Sequence, residues 1–249
     1  MKLPFQIDDG MGAAAALGLV VLPADETLEN EMRGLLPRDG VAMYHSRIDM
    51  PPEVSPETLA SMEAALPAAV SLLPSCKLDV IGYGCTSGAT MIGPDRVAAI
   101  IRDVHPEAQT SDPVSATIAA CRKLEARRIG FVTPYVETVS AAMRDLLERS
   151  GFEIAGFGSF MESDDRVVAR ISPESILHAI EAVAAGSDCD AVFVSCTNLR
   201  VANIAAQAEA RIARPVISSN LALAWHMMTL AGVAPDAKPG APILLQSLR

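Results

Sequence analysis

Two segments 111 positions apart repeat one pattern, and that repetition narrows the possible folds more than any other feature of the chain. Leu78-Asp79-Val80-Ile81-Gly82-Tyr83-Gly84-Cys85-Thr86 parallels Cys189-Asp190-Ala191-Val192-Phe193-Val194-Ser195-Cys196-Thr197. Each copy has an Asp, a short apolar run, a small residue and then Cys-Thr, with a loop entering a helix beyond. An uninterrupted apolar run of this kind suits a parallel strand buried on both faces. The interval is close to half of the 249 residues, as expected of two equivalent α/β units facing each other. Ligand sites in such folds lie at the carboxyl ends of parallel strands and favour domain interfaces. Cys85 and Cys196 are therefore expected on opposite walls of one cleft.

The remaining periodicity extends this scheme into an α/β fold of two pseudo-symmetric domains. Short β-branched runs at 17–22, 41–46, 79–83, 129–133, 152–159, 191–194 and 215–218 predict strands. Longer amphipathic runs predict helices over 56–73, from about 94, and over 113–124, 137–149, 173–185, 200–213 and 220–231. Ser55 with Pro56 reads as a helix start, and Gly151 as a stop. The polar stretch 109–113 has turn chemistry. The apolar stretch 11–22 follows Asp8-Asp9 and runs into Pro23, so it reads as a strand rather than the core of a signal peptide.

Charge and cysteine usage exclude several classes. The chain has 30 acidic and 20 basic residues, a net charge of −10, and no basic run of the kind nucleic-acid binding needs. The Arg122-Lys123 and Arg127-Arg128 pairs read as solvated helix ends. No apolar run reaches the ~18–20 residues that span a membrane. The five cysteines include no CxxC pair and no metal-type Cys/His spacing, which argues against a zinc site or disulfide framework and suits a reducing cytoplasm. Cys76, Cys121 and Cys189 read as ordinary small core residues. His45, His105, His178 and His226 form no motif. Gly82-x-Gly84 is too short for a dinucleotide fingerprint, and no phosphate loop occurs.

A thiol at a strand-to-helix turn sits beside free backbone N–H groups and the positive end of a helix dipole, both of which are expected to lower its pKa. The same N–H groups, with Thr86, Ser87, Thr197 and Asn198, are candidates for holding a carboxylate or a developing enolate. Tyr135, after a strand at Pro134, is placed to orient substrate. Two thiols on opposite faces of a planar carbanion can remove a proton from one side and return it from the other, without a cofactor or metal. Alternatively, one thiolate adds to a double bond and the other thiol handles the proton.

These motifs, taken with Pro23, Asp25-Glu26-Thr27-Leu28-Glu29 and Thr133-Pro134-Tyr135, resemble the Asp/Glu racemase superfamily over nearly the whole chain. The resemblance is to the branch of maleate cis–trans isomerase, arylmalonate decarboxylase and the ectoine-utilisation protein. It implies two four-stranded parallel-sheet domains flanked by helices, one of 1–111 plus 215–249 and one of 112–214. The site would lie between them, in a homodimer or homotetramer. The decarboxylases of this branch resemble the chain at the second cysteine only, with glycine in the place of Cys85. The maleate isomerases share both cysteines, the first acting as nucleophile, and grip the substrate with asparagines at the positions of Asp25 and Asp165. Acidic residues there would repel a dianion unless protonated, and lean toward an amino acid or an ectoine-derived compound. Asp25 also reads as a helix N-cap. The function expected is a cofactor-independent isomerase or racemase of a small carboxylic or amino acid. A malonate-type decarboxylase and a non-catalytic binding module are the alternatives.

Overall fold

The apolar run near the amino terminus forms the central strand of a parallel sheet. In the computed structural model, which describes residues 1–50, 56–236 and 240–247, β1 (Ala15–Val21) is buried along its whole length. It lies between β2 (Val41–Arg47) and β3 (Val80–Gly84), and β4 (Gln109–Ser111) pairs outside β3. Helices α1 (Leu28–Leu35), α2 (Pro56–Ser71), α3 (Thr86–Ile92) and α4 (Pro94–Val104) connect these strands. Leu17, Leu19, Val20 and Val21 are inaccessible to solvent, and each such burial contributes about 1.5–3 kcal/mol.

A second sheet repeats the arrangement. After α5 (Pro113–Lys123) come β5 (Arg128–Thr133), α6 (Glu137–Arg149) and β6 (Glu153–Ser159). They are followed by α7 (Asp165–Val168), α8 (Pro173–Ala185), β7 (Ala191–Val194), α9 (Ala205–Ile212) and β8 (Val216–Ser218). The strand orders are β2-β1-β3-β4 and β6-β5-β7-β8, all parallel, so the two sheets share one topology. From β8 the chain enters α10 (Ser219–Ala231), which packs against α5, β3 and β4, and ends in α11 (Ile243–Gln246).

The repeated Asp has a structural explanation. Asp79 Oδ2 accepts the Ala16 N–H at 2.8 Å, and Asp190 Oδ2 accepts those of Arg127 and Arg128 at 2.8 and 2.7 Å. Each carboxylate thus pins the start of the neighbouring central strand. Three expectations need correction. The stretch 109–113 is an edge strand before Asp112, which caps α5, because Gln109 and Thr110 pair with β3. The helix expected over 200–213 begins only at Ala205, because the chain loops after Cys196. The second sheet continues through β8 past residue 214. Ser55 lies outside the described residues.

Candidate active site

The segments at the carboxyl ends of β3 and β7 meet, the Thr197 hydroxyl donating to the Gly84 carbonyl at 3.4 Å, and each carries one of the two repeated thiols. Cys85 leaves β3 in an extended conformation and caps α3, its sulfur accepting the Gly88 N–H at 3.2 Å with the Ser87 hydroxyl 3.6 Å away. The close approach depends on glycine: a Cβ at Gly88 would stand 3.0 Å from the Cys85 sulfur and 2.5 Å from the Tyr83 hydroxyl. Cys196 leaves β7 with a φ of 107°, a region that L residues rarely adopt. Its sulfur accepts the Asn198 N–H at 3.4 Å. The strain, about 1–3 kcal/mol, is held by the surrounding hydrogen bonds, as at many functional sites.

Burial decides the state of both thiols. It pushes Cys85 up to about 12, against the lowering pull of Ser87 and the Gly88 N–H, and the charges of Asp165 and Asp25 push it further up. Cys196 is likewise raised well above its ordinary value by burial and then by Asp165, while the Tyr135 hydroxyl and the Asn198 N–H favour its thiolate. The expected lowering by the strand-to-helix turn is therefore overturned. Only Cys85 adjoins a helix start, and desolvation outweighs that benefit in a closed site.

Asp25 and Asp165 both reach this centre, from β1's end and from α7. Asp25 is 3% exposed; its Oδ1 accepts the Thr27 and Leu28 N–H groups, both at 2.8 Å, just ahead of α1, whose N-cap position is held by Thr27 and not by Asp25 as expected. Its Oδ2 has no hydrogen-bond partner. Thr197 stands beside that carboxyl and favours its ionised form, yet its hydroxyl donates to the Gly84 carbonyl at 3.4 Å. Burial raises Asp25, and burial followed by the charge of Asp25 raises Asp165 to about 7. Tyr135 is buried against both thiols, which, after burial itself, raise its hydroxyl.

Two of the residues expected to contact substrate, Asn198 and Thr86, also hold the site together. The Asn198 amide donates to the carbonyls of Ala24 and Asp165 at 3.1 and 2.9 Å, and its oxygen accepts the Glu26 N–H at 3.0 Å. This side chain therefore ties the Asp25 loop to α7, with both amide hydrogens engaged. The Thr86 hydroxyl donates to Ser219 Oγ at 2.8 Å, and the same oxygen accepts the Cys196 N–H at 3.0 Å. Ser219, at the start of α10, thus joins the two cysteine motifs. The sequence signal for it was the polar trio Ser218-Ser219-Asn220 directly after an apolar strand. Behind Thr197, Asn220 donates to its carbonyl at 2.8 Å and to Glu31 Oε2 at 2.7 Å. Burial pushes Glu31 up to about 7. Neither thiol is among the described residues lining an open cavity of about 610 Å³, which is bordered by Glu26, Thr27 and Glu31 of the α1 region together with Arg200, Pro235 and Pro242.

Two equivalent α/β units meeting at the carboxyl ends of their sheets, each contributing one thiol, define an Asp/Glu racemase-like enzyme. Within that class the chain belongs to the arylmalonate decarboxylase family, whose sequence pattern matches residues 17–244. It is similar to a maleate isomerase of Nocardia farcinica, 29% identical over 92% of this chain and 95% of that one. It is also similar to an arylmalonate decarboxylase of Bordetella bronchiseptica, 27% identical over 51% of this chain and 53% of that one. A solved structure of the Nocardia farcinica maleate cis–trans isomerase with a covalently bound succinylcysteine intermediate superposes with a TM-score of 0.83. That pair is 26% identical and covers 93% of this chain and 98% of the other.

Proposed function

We propose that this chain is a cysteine-based isomerase or racemase that acts without a cofactor on a small carboxylic or amino acid. The observation that carries the reading is the pair of buried thiols at equivalent strand ends, both acted on by the same carboxyls and by Tyr135. One cysteine, as thiolate, takes a proton from the substrate carbon and becomes a thiol, while the opposite thiol gives its own proton to the other face and is left as the thiolate. For a cis double bond, Cys85 sulfur bonds to one alkene carbon while Cys196 gives its proton to the other. Rotation about the new single bond follows, then return of the proton to Cys196 and scission of the S–C bond. The succinylcysteine of the Nocardia farcinica neighbour is an adduct of this kind.

Either route needs one thiol deprotonated and the other protonated. The Gly88 N–H and Ser87 at Cys85, with Tyr135 and the Asn198 N–H at Cys196, are the groups that favour the charged form. The lobes are taken as 1–111 with the carboxyl-terminal segment, and 112 to the end of β8. The reading takes the molecule as a cytoplasmic homodimer or homotetramer. Among the described residues no helix is long and apolar enough to cross a membrane.

The test is proton NMR in deuterated buffer under reducing conditions, against a panel including maleate, aspartate and glutamate. Exchange or isomerisation by the wild type, lost in both Cys85→Ser and Cys196→Ser while the fold persists, is the expected result. Turnover that survives loss of both thiols refutes the assignment.

A further inference from the structure

We infer that Glu31, on α1, is a positioning residue that acts through Asn220 to hold the Cys196 turn in its reactive geometry. This rests on the two-thiol reading of the same site and adds to it the group that aims the second sulfur. The turn needs an outside hold. Cys196 has a φ of 107°, which an L residue keeps only where its surroundings over-determine it. Its own N–H is fixed by Ser219 Oγ at 3.0 Å, so the peptide before the cysteine has an anchor. The carbonyl of the next residue, Thr197, and the loop that follows need one as well, or the sulfur between them is free to swing.

Glu31 grips that stretch at two points. Its Oε2 accepts from Asn220 Nδ2 at 2.7 Å, and the same nitrogen donates to the Thr197 carbonyl at 2.8 Å. Its Oε1 accepts the Ala202 N–H at 2.8 Å. Asn220 is 1% exposed, and among the described residues its Oδ1 has no hydrogen-bond partner. The two bonds of its nitrogen alone therefore fix which way the amide faces. The bond to Glu31 ensures that a donor, and not an oxygen, meets the Thr197 carbonyl. Glu31 lies 171 positions from Ala202 and 189 from Asn220, so a helix that follows β1 holds a turn that follows β7.

The chemistry of the pair makes a carboxylate necessary. Glu31 accepts at both oxygens, and only an ionised carboxyl is an acceptor at both. Burial pushes this group up, while the bonds from Asn220 and Ala202 pull it back toward its charged form. An amide in its place cannot serve both donors. With its nitrogen toward Asn220, the Asn220 amide must turn over and present oxygen to the Thr197 carbonyl. With its nitrogen toward Ala202, that N–H loses its acceptor. Cys85 offers an internal comparison, because it is held by its own turn. Its sulfur accepts the Gly88 N–H at 3.2 Å, and the hydrogen bonds described for Cys85, Thr86 and Ser87 side chains include neither Glu31 nor Asn220.

Two readouts on the reduced full chain test this in Glu31→Gln, Asn220→Ala and the double variant. The first is the rate at which iodoacetamide alkylates each cysteine, followed by mass spectrometry with fragmentation. Cys196 should react at least about tenfold faster than in the wild type and Cys85 within about twofold of it, because the opening is local to one turn. The second is kcat and KM on maleate and aspartate. On whichever of these the wild type turns over, kcat should fall about 10–100-fold with KM unchanged, since a misaimed reacting group slows the chemical step and leaves ground-state binding intact. Adding Glu31→Gln to Asn220→Ala should lower kcat by no more than about twofold further, as expected of residues acting in one chain. Circular dichroism checks the fold, and Asn220→Ala carries both readouts where Glu31→Gln does not fold. Unchanged Cys196 alkylation overturns the inference, as does equal acceleration at both thiols, a rise in KM at constant kcat, or kcat losses that simply multiply in the double variant. A wild type that turns over neither compound leaves the alkylation rates to decide. Essential thiols with a Cys196 indifferent to both substitutions would refute this inference alone. Full turnover in Cys196→Ser, with the alkylation pattern as expected, would refute only the two-thiol mechanism.

Discussion

Replacing Asp165 by Asn should change how stability depends on pH, and the size of the change follows from the burial of this side chain. An unfolded Asp titrates near 3.9, whereas in the folded chain Asp165 is held up at about 7 by burial and by Asp25. Between these values the folded protein carries a proton that the unfolded chain has lost. The stability associated with this group is therefore complete at acid pH and drains away as pH rises through that window, by about 1.4 kcal/mol per unit. About three units of displacement amount to ~4 kcal/mol by pH 8. Asn fills the same space and does not titrate, so the variant escapes this loss. Glu31, also pushed up to about 7, titrates in both proteins and cancels in the difference. Urea unfolding from pH 5 to pH 8 should show the variant gaining on the wild type until it leads by several kcal/mol, roughly 8–16 °C in Tm for a chain of this size. A difference that stays constant to within about 1 kcal/mol across that range would refute the placement of Asp165 as a buried carboxyl beside Asp25.

Two further substitutions probe the framework. Ser219→Ala removes the acceptor shared by the Thr86 hydroxyl and the Cys196 N–H, leaving two buried donors unmet, and should cost about 2–4 kcal/mol in urea unfolding together with a fall in kcat; unchanged stability would show that this junction does not hold the motifs together. Gly88→Ala places a methyl 2.5 Å from both the Tyr83 hydroxyl and Met62 Cε and 3.0 Å from the Cys85 sulfur, so stability should drop by about 1–3 kcal/mol and Cys85 should be displaced. Wild-type turnover in that variant would contradict the role given to the α3 turn.

The sequence alone determined the architecture and the equivalent placing of Cys85 and Cys196 after two strands. Short apolar runs such as 80–83 and 191–194, each after an Asp and before a small residue, fit buried parallel strands, and the Asp-to-Cys repeat read from them appears as two sheets of one topology with a thiol beyond each equivalent strand. Those features are local in the chain, because a strand's period and its terminal residue are written in consecutive positions. What the chain does next to each thiol was less legible: β4 and the late start of α9 depend on pairing and on a strained φ at Cys196, neither of which has a propensity signature.

Only the tertiary structure decided the electrostatics. Whether a thiol is activated or held neutral depends on how much water reaches it and on which charges arrive from distant segments. Asp25 and Asp165 lie far from Cys85 and Cys196 in the chain yet act on both. In the same way Asn198 bonds to backbone groups of residues 24, 26 and 165, and Ser219 joins two motifs it does not neighbour in sequence. Desolvation and long-range hydrogen bonding are sums over the folded surroundings of a group, so no run of consecutive residues encodes them.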